Sequence, residues 1–283
     1  MHELRRGSLV FDITDTGPAD GPVVVLLHGF PQFSDMFDSI TPALVAAGYR
    51  CVAMDQRGYS PRARPRGVWA YRPSQILADS LALIDAVSDG RRVHYVGHDW
   101  GAVHGWTIAQ RYPERLASFT ALSAAHPAAM VRGMYRGTQL FKSWYAIAFQ
   151  FGWLPRRWML GRGRRGGPFA WFLANKGGMP RAAVNRDVPR IATGDTLRAA
   201  LAWYRAVAFQ RGDTKAKVSV PTLFVCADND MCVARASIDD CAKWITGPHR
   251  IELIPGGTHW LLDTAPDHVA KLVLDHLGAA QEC

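Results

Sequence analysis

The stretch at residues 97–101, which reads Gly-His-Asp-Trp-Gly, constrains the fold of this 283-residue chain more than any other. It follows an apolar run at residues 93–96 and precedes a segment with helical periodicity at residues 103–112. Glycines on both sides of one side chain are typical of a sharp strand-to-helix turn, because a Cβ at either position would clash. The sequence therefore predicts that Asp99 projects from the end of a buried strand. The alternative is an aspartate that only caps the next helix.

A carboxylate at this turn indicates chemistry that a serine could not complete. A serine that attacked a saturated carbon would leave an ether, which the site could not hydrolyse. A carboxylate leaves an ester instead, and water can attack the carbonyl carbon of that ester. Asp99 is therefore interpreted as a nucleophile directed at a saturated carbon with a leaving group, as in an epoxide or an alkyl halide.

Strand-like and helical patterns alternate in both halves of the chain. The strand-like runs lie at residues 8–14, 23–27, 49–54, 93–96, 117–122, 222–226 and 250–254. Helical patterns lie between or after them at residues 33–47, 74–87, 103–112, 234–245 and 268–277. This alternation predicts an α/β fold with a mostly parallel, doubly wound sheet flanked by helices.

Residues 128–213 do not follow this alternation. They contain five of the ten tryptophans, helical stretches at residues 138–149 and 196–209, and no clear buried strand. We therefore expect a helical cap that is inserted into a core domain formed by residues 1–127 and 214–283.

The expected cap also carries the excess positive charge of the chain. It has 15 Lys or Arg residues against 3 Asp or Glu residues, whereas the remainder has 18 against 21. We expect a solvated basic face, with contact to an anionic membrane surface as the alternative and no nucleic-acid partner. The oligomeric state stays open, a homodimer included.

Cysteine usage and hydropathy predict a cytoplasmic protein. The five cysteines show no metal-binding spacing and are expected to be reduced and mostly buried. No run of about 18 apolar residues is present, and residues 1–6 do not read as a signal peptide. We expect neither a metal nor an organic cofactor.

His259 and Asp230 are expected to complete a site around Asp99. Each follows a predicted strand, and the carboxyl ends of parallel strands open on one edge of the sheet. The chain order of nucleophile, acid and histidine is a known order for such a triad. His259 would activate water while Asp230 orients its ring. Asp228 is a rival acid, and a surface loop histidine is the alternative for His259.

The loop after the first buried strand is expected to contribute an oxyanion hole. The backbone N–H of Phe30 can converge there with the backbone N–H of Trp100. The same loop and the cap are expected to line a substrate pocket, with His28, Pro31, Trp144 and Phe149 as further lining residues.

These motifs resemble the α/β-hydrolase fold, and specifically its epoxide hydrolase branch, over nearly the whole chain. The matching positions are residues 28–31, 55–60, 97–101 and 257–260 together with Asp230. The resemblance implies an eight-stranded, mostly parallel sheet with an inserted helical cap. It also implies hydrolysis of an epoxide to a vicinal diol, a role in detoxification, and an alkyl-enzyme ester on Asp99. Two cap tyrosines, Tyr145 and Tyr204, would donate hydrogen bonds to the oxirane oxygen.

Other activities stay open on the sequence alone. A haloalkane dehalogenase would share the aspartate nucleophile, but that family typically has an asparagine at the position of Phe30. Dehalogenases of halogenated carboxylates typically have an arginine at the position of Trp100. A carboxylesterase is disfavoured because the turn has no serine, and a non-catalytic receptor on this fold is the remaining alternative. The natural substrate, the regiochemistry and the enantiopreference are not predicted.

Overall fold

A single sheet of eight strands organises the protein, which we describe from a computed structural model of residues 1–162, 166–210 and 215–281. The strands are β1 (Glu3–Arg6), β2 (Leu9–Thr16), β3 (Val23–Leu27), β4 (Arg50–Met54), β5 (Val93–His98), β6 (Leu116–Leu122), β7 (Thr222–Ala227) and β8 (His249–Ile254). Their order across the sheet is β1-β2-β4-β3-β5-β6-β7-β8. Only the pairs β1–β2 and β2–β4 are antiparallel. The predicted α/β-hydrolase fold with a mostly parallel eight-stranded sheet is therefore confirmed.

Thirteen α-helices lie within the described residues. They are α1 (Thr41–Ala46), α2 (Pro73–Val87), α3 (Trp100–Arg111), α4 (Pro127–Arg136), α5 (Gln139–Lys142), α6 (Trp144–Ala148), α7 (Trp153–Leu160), α8 (Gly167–Asn175), α9 (Arg181–Ala192), α10 (Thr196–Ala206), α11 (Arg235–Cys241), α12 (Leu261–Thr264) and α13 (Pro266–Gln281). No helix in this part of the chain is both long enough and apolar enough to cross a membrane.

The strands β3, β5 and β7 are buried along their whole length, because helices cover both faces of the sheet. Successive side chains of a strand point to opposite faces. Val25 and Leu27 pack with α2, α3 and α11 on one face, and Val24 and Leu26 pack with α1, α12 and α13 on the other. The continuous apolar run of β3 therefore supplies two cores at once.

Helices α4 to α10 follow β6 and precede β7, and α7 to α10 share a hydrophobic cluster. This cluster joins side chains of α7 to α10 to Phe30 and Trp260, which lie in loops after β3 and β8. The helices therefore lie over the carboxyl end of the sheet. We propose that they form the cap that the sequence predicts at residues 128–213.

Four long helical patterns are interrupted in the structure. The pattern at residues 33–47 is a 3₁₀ helix, Ser34–Ser39, followed by α1. The hydroxyls of Ser39 and Thr41 bind main-chain carbonyls of the preceding turn, and Pro42 lacks the N–H that would continue the helix. The patterns at residues 138–149, 196–209 and 234–245 also divide, and each ends in a 3₁₀ turn.

Candidate active site

Asp99 occupies the sharp turn between β5 and α3. Its backbone has φ 50° and ψ −116°, with a positive φ that side chains other than glycine rarely adopt. Flanking glycines make the turn possible, because a Cβ on Gly101 would overlap the carbonyl of Leu27. A Cβ on Gly97 would lie 2.5 Å from the backbone nitrogen of Ala102. Strain of this kind persists only where the surrounding structure enforces it, and here it fixes the position of one carboxylate.

The carboxylate of Asp99 lies between two backbone donors and an imidazole. The N–H of Phe30 donates to Oδ1 over 2.7 Å, and the N–H of Trp100 also bonds to this carboxylate. The second oxygen, Oδ2, lies 3.7 Å from Nε2 of His259. Burial raises the pKa of Asp99 above its ordinary value, while His259 and the two N–H groups act in the opposite direction.

Asp230 holds the ring of His259 in place. Nδ1 of His259 lies 3.0 Å and 3.1 Å from the two oxygens of Asp230, and Oδ1 also accepts the N–H groups of Cys232 and Val233. Burial alone would raise the pKa of Asp230, but His259 and these donors hold it below its ordinary value. Burial opposes the charged form of His259 as well and would lower its pKa. Asp230 and Cys232 outweigh burial and raise the pKa of His259 well above its usual range. The rival acid, Asp228, is exposed.

Two further residues support His259, and the sequence analysis did not single them out. Nε2 of His98 and Oγ of Ser123 each lie 2.9 Å from the main-chain carbonyl oxygen of His259. His98 ends β5, and Ser123 directly follows β6. The sequence did contain a signal for them, because both are polar residues at the carboxyl ends of neighbouring strands, where site residues of this kind of fold lie. Which backbone group they bind could not be predicted from the sequence.

Tyr145 of α6 and Tyr204 of α10 lie next to each other opposite Asp99. Their ring centroids are 5.9 Å apart at an angle of 81°. Burial raises the pKa of both hydroxyls well above the ordinary value of 10.0, and the charge of Asp99 adds to the effect. Both phenols are therefore proton donors throughout the physiological range. Cys232, which the sequence analysis did not single out, lies beside Tyr145 and His259.

Two cavities of very different size meet at Asp99. The larger has a volume of about 620 Å³ and the smaller about 50 Å³. Four residues line both cavities, namely Asp99, Tyr145, Tyr204 and Cys232. The carboxylate and the two phenols therefore lie at the junction, where a small reactive group could contact all three.

The larger cavity follows one face of α3. Five side chains of this helix line it at spacings of three or four residues, except for one adjacent pair: Trp100, Val103, His104, Thr107 and Arg111. At 1.5 Å per residue, this stripe is about 16 Å long. The smaller cavity has a mainly aromatic lining that includes Phe30, Pro31, Phe149, Phe169 and Trp260.

The structure differs from the sequence prediction at two of the expected pocket residues. His28 is fully buried and lines neither cavity, because its ring accepts the N–H of Gln56 at 3.1 Å beneath the site. Trp144 also lines neither cavity, and 52% of its surface is exposed. Adjacent residues of a helix point about 100° apart, so that Tyr145 faces the cavity while Trp144 faces solvent.

Within the described part of the chain, one group of three side chains has metal-ligating atoms close together. A carboxylate oxygen of Asp230, the sulfur of Cys232 and a ring nitrogen of His259 all lie within 4.8 Å of one another. The oxygens of Asp230 already accept hydrogen bonds from His259 and two backbone N–H groups. A metal ion would have to displace these bonds, so the arrangement suits a histidine oriented by a carboxylate better than a metal centre.

This fold and site define a class. Residues 22–266 match the family model of the α/β-hydrolase fold, and the chain belongs to that family, as its motifs predict.

Relatives of known sequence place the chain more closely. It is 32% identical to Epoxide hydrolase A of Mycobacterium tuberculosis, over 94% of this chain and 93% of the relative. It is 30% identical to the AB hydrolase superfamily protein YfhM of Bacillus subtilis, over 97% and 96%. The predicted resemblance to the epoxide hydrolase branch is thereby confirmed.

Solved structures agree with this placement. A structure described among novel epoxide hydrolases in metagenomes from hot environments superposes with a TM-score of 0.83 at 25% identity, over 98% of this chain and 99% of that one. Epoxide Hydrolase A from Mycobacterium thermoresistibile superposes with a TM-score of 0.75 at 24% identity, over 97% of each chain. The second likeness shows the shared fold.

Proposed function

We propose that this protein hydrolyses epoxides to vicinal diols through an alkyl-enzyme ester on Asp99. The observation that carries the proposal is the position of this carboxylate. One oxygen accepts the backbone N–H of Phe30 and the other faces His259 at 3.7 Å. The phenols of Tyr145 and Tyr204 lie at the same junction of the two cavities. Relatives named as epoxide hydrolases support the same activity.

The first step is ring opening. Oδ2 of Asp99 is the free oxygen, since Oδ1 already accepts the N–H of Phe30. Oδ2 attacks one ring carbon, the bond from that carbon to the epoxide oxygen breaks, and an ester forms. The oxygen leaves as an alkoxide and takes a proton from Tyr145 or Tyr204, which remain protonated because burial raises the pKa of each hydroxyl.

The second step is hydrolysis of the ester. His259 takes a proton from water, and the resulting hydroxide attacks the carbonyl carbon of Asp99. Negative charge then develops on Oδ1, which already accepts the N–H of Phe30, and the N–H of Trp100 also bonds to this carboxylate. The bond from the carbonyl carbon of Asp99 to the substrate oxygen breaks, and the leaving alkoxide takes the proton of the newly added hydroxyl, which restores the carboxylate. The diol leaves, and the proton held by His259 returns to the deprotonated tyrosine.

The ester itself prepares His259 for this role. In the resting site the charge of His259 lowers the pKa of Asp99, so the negative carboxylate and the protonated imidazole stabilise each other. Alkylation neutralises Asp99 and removes this attraction. The protonated form of His259 is then less stabilised, so more of the imidazole is neutral and able to accept a proton from water during ester hydrolysis.

The cavities indicate the form of the substrate. The larger cavity can take a long or bulky apolar substituent along α3, whereas the smaller has room only for a hydrogen or a small group. We therefore propose that the preferred substrates are epoxides with one large apolar arm. Free, buried thiols at Cys51, Cys226 and Cys241 support the predicted cytoplasmic location.

Intact-protein mass spectrometry of His259→Gln tests the mechanism. Mixed with a styrene-type epoxide or a fatty-acid epoxide, this variant should gain the mass of one substrate and keep it, with the adduct on Asp99. The matched double variant that also carries Asp99→Asn should gain no mass. An unmodified His259→Gln with every epoxide would contradict the mechanism. Faster turnover of a bromoalkane by the native protein would favour the dehalogenase alternative.

A further inference from the structure

The exposed apolar side chains of this protein are concentrated on helices α4 to α8. Of the fourteen large apolar side chains that are exposed among the described residues, eleven lie between residues 131 and 171. Tyr135, Phe141 and Trp153 are 85%, 76% and 71% exposed. An apolar surface of this extent marks an interaction site, since single exposed apolar residues are normally scattered. We call it the aromatic face, and its other members are Val131, Leu140, Trp144, Ile147, Phe151, Leu154, Trp158 and Trp171.

Ring contacts show that this face is continuous from α6 to α8. Trp144 of α6 and Trp158 of α7 both pack edge-on against Phe172 of α8, with centroids 6.3 Å and 6.1 Å away. The exposed Trp171 is the next residue on α8. On α7, the exposed residues Trp153, Leu154, Arg157 and Trp158 form one side of the helix, while Met159 and Leu160 are buried.

The same segment is strongly and one-sidedly charged. Residues 127–186 contain eleven Lys or Arg residues and no Asp or Glu residue. Several of these cations are exposed and form no ion pair with any residue that the structure describes: Arg136, Arg157, Arg162, Lys176 and Arg181. These cations are therefore available to contact an anionic surface.

We propose that the aromatic face docks on the surface of an anionic lipid bilayer. Tryptophan and tyrosine favour the boundary between headgroups and acyl chains, because one end of the side chain is apolar and the other is polar. Arginine and lysine can lay their apolar stems along such a surface and direct the charge to lipid phosphates. The pairing of exposed aromatic rings with cations on one side of α7 fits this geometry.

The larger cavity opens on the same face. Val131, Leu140, Ile147 and Val207 are exposed and also line this cavity. Its mouth is therefore apolar, and an apolar solute in a docked bilayer could enter without crossing water. Docking thus places the cavity mouth next to the acyl chains of the bilayer, where apolar molecules accumulate.

Two other occupants fit the face less well. A second copy of this chain in a two-fold contact would bring the unpaired cations of both copies together. A nucleic acid would match the charge, and its bases could stack on the aromatic rings. It would leave the aliphatic rim of the cavity without an apolar partner, which a bilayer supplies.

Vesicle binding of the full chain tests the proposal. The native protein should sediment with vesicles of mixed phosphatidylglycerol and phosphatidylcholine, less in high salt, and not with vesicles of phosphatidylcholine alone. Arg157→Glu with Arg162→Glu should weaken binding by about tenfold or more, because each cation near an anionic surface contributes severalfold to the binding constant. The matched control is Arg91→Glu with Arg92→Glu, which carries the same charge change in the loop before β5.

A second pair of variants tests the aromatic contribution. Brominated lipids should quench the tryptophan fluorescence of the native protein, and Trp153→Ser with Trp158→Ser should reduce the quenching and the binding. Trp69→Ser removes a tryptophan that is 56% exposed but lies outside this face, and it should leave binding unchanged. Melting curves verify that each variant is folded.

Three results would overturn the proposal. The first is equal binding by the Arg157→Glu, Arg162→Glu variant and its control. The second is tighter binding to a single-stranded oligonucleotide than to the anionic vesicles at the same salt. The third is a dimer in sedimentation velocity that dissociates on Trp153→Ser with Trp158→Ser, because the face would then be covered by a second copy.

Discussion

Gly29→Ala should disable the site through one added methyl group. In the structure, a Cβ at residue 29 would overlap Oδ1 of Asp99 and lie 2.7 Å from its Cγ. Ordinary contacts begin at 3.4 Å, so relief of the contact with Cγ alone needs about 0.7 Å, and the closer contacts with Oδ1 and Cβ of Asp99 require the loop and the carboxylate to separate by more than that. The bond from the N–H of Phe30 to Oδ1, now 2.7 Å, would lengthen beyond hydrogen-bonding distance.

The magnitude follows from the role of that bond. Loss of one backbone-type donor to a developing oxyanion costs about 2.7–4 kcal/mol, or about 10²–10³ in kcat. We expect a loss of this size in ester hydrolysis, with a smaller change in KM because both cavities lie beyond the loop. Overpacking costs about 1–3 kcal/mol of stability, so the melting temperature should fall by several degrees without loss of the fold.

Rapid quench and mass spectrometry would measure ester formation and ester decay separately, alongside a melting curve. The matched control is Gly278→Ala in α13, where the new Cβ meets no atom and a helix interior gains about 1 kcal/mol from the exchange. This control should keep native kinetics. Native ester decay in a folded Gly29→Ala protein would refute the assignment of Phe30 as a donor to Asp99.

Three further outcomes are expected. Tyr145→Phe with Tyr204→Phe should slow ester formation by about 10³-fold or more while the substrate still binds, because no proton donor then meets the alkoxide; an unchanged burst rate would remove both tyrosines from the mechanism. Asp230→Asn should slow ester decay by about 10⁴-fold, because the ring of His259 loses its orientation and its stabilising charge, and mass spectrometry should show accumulated ester. Activity should rise with pH, since Asp99 acts as a carboxylate and His259 as a neutral base, and the pKa of each is raised. The pH–rate profile should show no falling limb below about pH 10, because the pKa of each tyrosine hydroxyl lies well above its ordinary value.

The parts of the site that could be predicted from the sequence are encoded locally. The paired glycines of residues 97–101 specify the turn, and parallel strands bring the loops of Asp230 and His259 to the edge at which Asp99 lies. The supporting bonds from His98 and Ser123 to the main-chain carbonyl of His259 depend on how the ends of β5, β6 and β8 align along the sheet. No local sequence pattern specifies that alignment.

The mistaken positions have the same origin. Trp144 is adjacent in sequence to Tyr145, but neighbours on a helix diverge by about 100°, and only the tyrosine reaches the cavity. His28 lies in the loop that provides Phe30, yet its ring points below the site toward Gln56. Sequence proximity places a residue near a site but does not set the direction of its side chain.

Helix α6 connects the two proposals made for this protein. Its inner side carries Tyr145, which meets Asp99 at the junction of the cavities, and its outer side carries Trp144 and Ile147. Ile147 belongs both to the aromatic face and to the lining of the larger cavity, because it is exposed and also lines that cavity. A bilayer docked on the aromatic face would therefore contact the helix that supplies a proton donor.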